Sequence, residues 1–333
     1  MLGRVLAQPS ITERLLRQAL QVPLPNFLHG VVVVGMGGSG MCGDLLATLA
    51  DSTSPVPVVV HKDYGLPKWV GRTTLVVAVS YSGETEETLD AAREALRRDL
   101  PLAVMTRGGA LAQLAMEHGV PLVQVQGPKM LPRAALPFMV TPLLQLGATL
   151  GLVPDPRGST AALHLRSLAA QLGPSVPFES NPAKQLAGKL LHATAAIYGH
   201  GPMATVAQRW RAQLNENAKV FARDLCLPEM NHNDLVPWPV DKGAAGQHVV
   251  LLRHQHESER VKLRFVVTEE LGWCHAAGIT QVGPFEGDPL AALLGAIFYG
   301  DLVSVYLAGL RGVDPSPVEA IAALKGRLGG SPQ

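Results

Sequence analysis

Short apolar runs set off by longer amphipathic stretches organise the first 125 residues. His29 to Gly35 holds an unbroken V-V-V-V, Val56 to Val60 reads V-P-V-V-V, and Thr73 to Ser80 reads T-T-L-V-V-A-V-S. Leu102 to Met105 and Leu122 to Val125 are shorter runs of the same kind. Such runs, rich in β-branched residues and without alternation, predict strands buried on both faces. Helical patterns lie between them, and strands alternating with helices predict a parallel sheet covered on both faces. Ahead of the sheet, Ser10 to Val22 predicts an amphipathic helix with Ile11, Leu15, Leu16 and Leu20 on one face. Ser10 and Glu13 there have the spacing of a capping box.

The pattern breaks near Leu152, where V-P-D-P-R-G-S-T reads as a linker. Residues 1–153 and 154–333 are therefore expected to form two domains. In the second half, Ala193 to Gly199 and Val249 to Leu252 predict strands, while Gln208 to Ala218 and Glu257 to Leu271 predict helices. A long apolar helix is expected over Pro289 to Leu310 and a short one over Val318 to Leu328. Leu293, Leu294, Ile297, Phe298 and Leu302 form a stripe on the long helix that suits core or subunit packing. Its glycines and alanines suit close helix approach, including against a second copy of the chain. No internal repeat is visible; the grammar is that of two α/β units in tandem.

Composition narrows the class. A chain of 333 residues, 47% hydrophobic and 17% charged, suits about two compact domains. The formal net charge of +1, with no basic block, argues against a nucleic-acid partner. Cys42, Cys226 and Cys274 are too scattered for a disulfide framework or a zinc site, which suits a reducing cytoplasm. The N-terminus lacks the apolar core of a signal peptide. The longest apolar runs carry Gly, His or charges, so no membrane span is expected. His254 and His256 have no third ligand at a recognisable spacing and read as surface histidines, with no metal expected.

Candidate chemistry centres on S-Y-S-G-E-T at Ser80 to Thr85. Gly83 permits a sharp turn after the strand, and Thr85 is placed to cap the next helix, with Glu86, Glu87 and Asp90 in or near its first turns. Ser80, Ser82 and Thr85 crowd three hydroxyls around a helix N-terminus, a natural phosphate site. Taken alone, an ordinary capped turn explains the same residues. Gly35, Gly37 and Gly40 match the dinucleotide fingerprint G-x-G-x-x-G. The next strand, however, ends V-V-V-H-K-D, with His61 and Lys62 where the ribose-binding acid belongs and Asp63 arriving late. The nicotinamide reading fails that test; Gly38 and Ser39 suit a loop that passes close to a sugar.

G-M-G-G-S-G and S-Y-S-G-E-T together resemble the sugar isomerase domain that binds phosphosugars. L-P-R-A-A-L-P at Leu131 to Pro137, N-E-N-A-K at Asn215 to Lys219, L-P-E-M-N-H-N at Leu227 to Asn233, and D-P-S-P-V…A-L-K near the end narrow the likeness. In that order they resemble the bifunctional phosphoglucose/phosphomannose isomerase family over nearly the whole chain. The resemblance implies two tandem sugar isomerase domains, each a parallel sheet sandwiched by helices, and a homodimer with shared sites. It implies a phosphate clamp of Ser80, Ser82 and Thr85, and a sugar-facing loop with Gly38 and Ser39. It implies Glu216 as the base, Arg133 beside the enediolate, and His232 with Lys325 as the ring-opening pair, His232 reaching in from the neighbouring subunit. Archaeal members carry a threonine seven residues before the catalytic lysine, linked to accepting both C2 epimers. Val318 stands there in this chain, with Ser316 nearby, so mannose 6-phosphate is expected to be the poorer substrate.

The residue types fit that chemistry. Aldose–ketose isomerisation needs a group that takes a carbon-bound proton and returns it to the next carbon, which a carboxylate can do. The enediolate needs a fixed cation, for which arginine is suited. Histidine can relay the ring-opening proton. The phosphate supplies remote binding that positions C1 and C2. No step calls for a metal or nicotinamide cofactor. Singly, Glu216 reads as a solvated helix residue, His232 as a loop hydrogen-bonder, Arg133 as an ion-pair partner and Lys325 as a surface charge. Together, in order, they fit one reaction. The alternative is a non-catalytic phosphosugar-binding regulator, which usually carries a DNA-binding domain; room for only one helix is expected before the first strand.

Overall fold

A computed structural model describes residues 1–18, 20, 22, 23 and 28–328. Two helices open the chain where the sequence predicts one, α1 (Leu2–Leu6) and α2 (Gln8–Leu16). The first sheet unit comprises β1 (Gly30–Val34), α3 (Gly37–Ala50), β2 (Val58–His61), β3 (Thr74–Ser80), α4 (Glu86–Arg97), β4 (Leu102–Thr106), α5 (Gly109–Glu117) and β5 (Leu122–Gln124). Helices α6 (Leu136–Thr149), α7 (Ala161–Leu172) and α8 (Pro182–Lys189) follow. The second unit comprises β6 (Thr194–His200), α9 (Pro202–Gln213), β7 (Ala222–Leu227), β8 (Gln247–His254), α10 (Glu259–Leu271) and β9 (Gly278–Phe285). Helices α11 (Pro289–Leu310) and α12 (Glu319–Leu328) follow.

Every strand pairing is parallel, in the orders β2-β1-β3-β4-β5 and β7-β6-β8-β9. The expected α/β architecture, two tandem units with parallel sheets between helices, is the observed one. Strands β1, β3 and β4 are buried along their whole length, which is why their sequences are continuous apolar runs. Both sheets reverse direction beside their first strand, between β1 and β3 and between β6 and β8. In such sheets ligands bind at the carboxyl ends of the strands flanking that reversal.

Helix α11 runs through the core, packed against α7, α8 and α9. By length and composition it could cross a bilayer, but nearly all of it is buried within the protein. A helix apolar on every side needs cover on every side, and here other helices supply it. Its close approaches are internal: a Cβ at Gly300 would lie 2.2 Å from the Trp210 ring, and one at Gly295 would lie 2.6 Å from the His164 ring. The stripe from Leu293 to Leu302 is core.

Three local expectations need correction. Helix α2 begins at Gln8, with Pro9 in its first turn, and ends at Leu16; of the predicted span to Val22, Ala19 and Gln21 lie outside the described residues. Because the helix starts early, no capping box forms: Ser10 donates to the Ala7 carbonyl, and Glu13 pairs with Arg17 and Arg166. The predicted helix from Gln208 to Ala218 starts earlier, at Pro202, and its last turn, Leu214–Ala218, is a π-turn. Finally, His254 is not a surface residue. It is 9% exposed at the end of β8, its ring stacked on that of His200; only His256 faces solvent.

Candidate active site

The carboxyl ends of β1 and β3 carry the glycine loop and the hydroxyl turn. After β3 the chain reverses at Gly83, whose φ is +75° and whose α-carbon faces the Gly108 carbonyl so closely that no side chain fits. Ser80 Oγ lies 2.8 Å from Thr85 Oγ1 and 3.4 Å from Ser82 Oγ, so the three hydroxyls share one pool. The Gly83 and Glu84 N–H groups donate to Ser80 Oγ and Ser82 Oγ. Thr85 occupies the N-cap position of α4 but makes no capping bond; its hydroxyl turns to Ser80 instead. This corrects the expected cap and leaves the first N–H groups of α4 without a side-chain acceptor. The Glu84 carboxylate is turned aside to accept from Ala110 N–H, and Asp90 accepts from Gly65 N–H. Glu86 and Glu87 remain in the helix's first turn.

The glycine loop joins this turn to the turn that carries Arg133. Ser39 is buried, its hydroxyl accepting from Tyr81 N–H at 3.2 Å and contacting Met139 Sδ at 3.4 Å. At Gly38 a Cβ would stand 2.8 Å from the Pro132 carbonyl oxygen and 3.2 Å from Arg133 N, so only glycine lets the loop abut the Arg133 turn.

Arg133 sits on the one-turn helix Pro132–Ala134 and is 4% exposed. Its Nε donates to Asn217 Oδ1 at 2.9 Å and its Nη1 to Glu216 Oε2 at 3.1 Å. Nη2 donates to the carbonyls of Pro315 at 2.6 Å and Ser316 at 3.1 Å. Consecutive residues of an α-helix point about 100° apart. The wider π-turn at Leu214–Ala218 brings both Glu216 and Asn217 onto one guanidinium, and π-turns recur at functional sites. Lys219 ends the turn in the left-handed conformation, φ 57°, and donates to the carbonyls of Glu216 and Pro317. Burial lowers the pKa of Arg133, with the Glu216 carboxylate opposing; burial and then Arg133 lower that of Lys219. Asn215, Glu216, Lys219, Asp314, Val318 and Ile321 help line an open cleft of about 580 Å³.

The predicted residues thus fall into two groups. Arg133 and Glu216 form a salt bridge, and Ser80, Ser82 and Thr85 share hydroxyl contacts beside Gly38 and Ser39. His232 and Lys325 stay outside: both are exposed, and neither hydrogen-bonds to Arg133 or Glu216. His232 follows Asn231, which bonds to Thr268 and Arg264, and precedes Asp234 by two residues, which pairs with Arg223 and accepts from Tyr198. An anchored loop therefore presents it to solvent. Helix α12, which carries Lys325, buries none of its residues. Sequence reasoning did not assign roles to Asn217, Arg209, Ser304 or Asp301, which pack behind the pair. Asp301 carried a signal: it is the one charge in the apolar helix α11, and a buried charge needs partners. Among the described residues, no three His, Cys, Asp or Glu side chains group as a metal site.

Residues 179–328 match the family described as "Bacterial phospho-glucose isomerase C-terminal SIS domain", and residues 29–120 match the SIS domain. The bifunctional phosphoglucose/phosphomannose isomerase of Caldicellulosiruptor bescii is 36% identical over 302 residues, covering 90% of this chain and 89% of that protein. The protein of the same name from Aquifex aeolicus is 34% identical over 303 residues, 90% of each. In fold, the C-terminal domain of glucosamine-fructose-6-phosphate aminotransferase from Francisella tularensis matches with a TM-score of 0.71. That match spans 95% of this chain and 97% of the other at 14% identity.

Proposed function

The chain belongs to the bifunctional phosphoglucose/phosphomannose isomerase family, and on that premise we propose how its cleft interconverts hexose 6-phosphates. The reaction is aldose–ketose isomerisation of glucose 6-phosphate, and of mannose 6-phosphate, to fructose 6-phosphate through a cis-enediol. The observation that carries the assignment of residues is the salt bridge between Glu216 and the buried Arg133, beside a loop that also abuts the hydroxyl turn.

The substrate phosphate takes the hydroxyls of Ser80, Ser82 and Thr85 and the N–H groups that open α4. Gly38 and Ser39 bring the glycine loop along the sugar. Glu216 takes the C2 proton of the open-chain aldose and returns it to C1, while O1 gains and O2 loses a proton. Arg133 stabilises the enediolate. A guanidinium has five N–H donors. Four of those on Arg133 are engaged, leaving one on Nη1, the nitrogen that also holds Glu216. When Glu216 takes up the proton it ceases to be an anion, and its hold on Nη1 weakens as negative charge appears on the substrate. The cation's interaction thus passes from base to enediolate without moving Arg133.

Ring opening falls to His232 and Lys325, with His232 supplied by a second copy of the chain. Several exposed apolar side chains support a dimer: Val236 and Val240 beyond His232, Leu263 and Val266 on α10, and Ile321 and Leu324 on α12. We assign residues 1–153 to a unit that anchors phosphate and supplies Arg133, and 154–333 to a unit that supplies Glu216 and the ring-opening residues. The cytoplasm is the compartment we assign, in keeping with three free cysteines.

A coupled assay of the purified protein with the three hexose 6-phosphates tests this. All three should turn over, mannose 6-phosphate the more slowly, since Val318 lines the cleft where a hydroxyl would serve. One missing buried hydrogen bond costs about 1–3 kcal/mol, roughly five- to 150-fold in kcat/KM. Equal kcat/KM for the two aldoses would remove Val318 from specificity. Sugar-phosphate binding without turnover would favour the regulator.

A further inference from the structure

One buried polar network grips Arg133 at both ends. At the side-chain end, Asn217 Oδ1 accepts from Arg133 Nε at 2.9 Å. The Asn217 amide is oriented from behind: Nδ2 donates to Ser304 Oγ at 3.0 Å, and Ser304 Oγ donates to the Asp301 carbonyl at 2.7 Å. At the backbone end, Arg209 Nη2 donates to the Arg133 carbonyl at 2.9 Å and to Asp301 Oδ2 at 2.9 Å. Gln8 and Gln213 complete the shell of the Asp301 carboxylate, each donating at 2.8 Å. Asn217 and Ser304 are 0% exposed and Asp301 1%, so solvent does not complete any of these bonds.

A buried ion pair such as that of Arg209 on α9 with Asp301 on α11 is weak support for stability, because well-packed apolar residues often do as well. What this pair does have is geometry. Without the Ser304 hydroxyl, the Asn217 amide loses the acceptor that keeps its oxygen, and not its NH2 group, facing Arg133 Nε. We propose that Asp301, Ser304 and Asn217 are positioning residues that fix the Arg133 guanidinium for the enediolate, acting from behind the cleft without touching substrate. The proposal rests on the reading of Arg133 as the enediolate-facing cation.

The test separates transition-state affinity from substrate affinity. Ser304→Ala and Asn217→Ala are compared with Arg133→Ala and with Val305→Ala, a core change on the same helix. Each is assayed for turnover of fructose 6-phosphate, for binding of a planar hydroxamate analogue of the enediolate, and for binding of sorbitol 6-phosphate. Ser304→Ala and Asn217→Ala should each lower kcat and analogue affinity together, by about tenfold to a hundredfold. KM and sorbitol 6-phosphate affinity should stay within about twofold of the parent, and Val305→Ala should show no such split. If Arg133→Ala loses the analogue but the two relay variants keep it, the positioning proposal is overturned and the role of Arg133 stands. If Arg133→Ala itself binds the analogue normally, the underlying assignment fails. Loss of the fold in both relay variants would make the network a stability element and equally overturn the proposal.

Discussion

Replacing Arg133 by lysine keeps the positive charge and removes the planar fork, which makes it a sharp probe of the site. Arg133 delivers bonds from three nitrogens to four acceptors: Asn217 Oδ1, Glu216 Oε2 and the carbonyls of Pro315 and Ser316. An ammonium is a point donor with three N–H groups and cannot serve all four. At least one of these acceptors, all buried or part-buried, loses its bond, at a cost of about 1 kcal/mol in stability. The donor proposed to face the enediolate is lost as well, and removal of a single such donor lowers kcat by about a hundredfold to a thousandfold. The phosphate turn is untouched, so KM should change little. Arg133→Lys would be read by a coupled assay of fructose 6-phosphate conversion alongside urea denaturation. A variant with kcat within about threefold of the parent would refute the role given to the fork.

Other changes probe separate parts of the account. Ser82→Ala combined with Thr85→Ala removes the two hydroxyls proposed to hold phosphate, at about 1.5–3 kcal/mol each, so KM should rise by roughly a hundredfold or more; unchanged kinetics would take this turn out of the site. Co-refolded Glu216→Gln and His232→Ala chains should regain activity on cyclic substrate in mixed dimers, each with one intact site, and lose it on dilution. No rescue in dimers confirmed by mass would place both residues in one chain's site. Burial lowers the pKa of His254, so as pH falls below about 6.5 the unfolded chain binds a proton before the folded one does. That share of stability is complete above about 6.5 and declines below it. His254→Phe should therefore flatten the acid side of a urea-stability profile, to which His164 and His248 contribute in the same direction. An acid side as steep as the parent's would assign the loss to other groups.

Legibility in the sequence followed burial. Strands β1, β3 and β4 announced themselves because both faces are covered, and α11 because every side is apolar. Strands β7 and β9 did not. They are the edges of the second sheet; β7 reads A-R-D-L-C-L and β9 carries Gly283 and Pro284, so neither forms an apolar run. The hydroxyl turn was legible as a local motif, but not the choice Thr85 makes between capping α4 and joining Ser80. The π-turn is a one-residue slip in helical period, too small to read. The pairing of Arg133 with Glu216 and Asn217 spans more than eighty residues, so no local pattern could show it. Resemblance carried the roles of His232 and Lys325, and one chain leaves both exposed.

Proton transfer by Glu216 is the centre of the account, and isotope exchange reads it without relying on net turnover. Glu216→Gln keeps the shape of the side chain and removes the carboxylate, while the hydroxyl turn and Arg133 remain. Incubated with fructose 6-phosphate in D2O, the parent should wash deuterium into C1 of the ketose and C2 of the aldose. The variant should bind fructose 6-phosphate with similar affinity yet exchange more slowly by orders of magnitude. Exchange near the parent rate in Glu216→Gln would show that another group moves the proton, and would contradict the account at its centre.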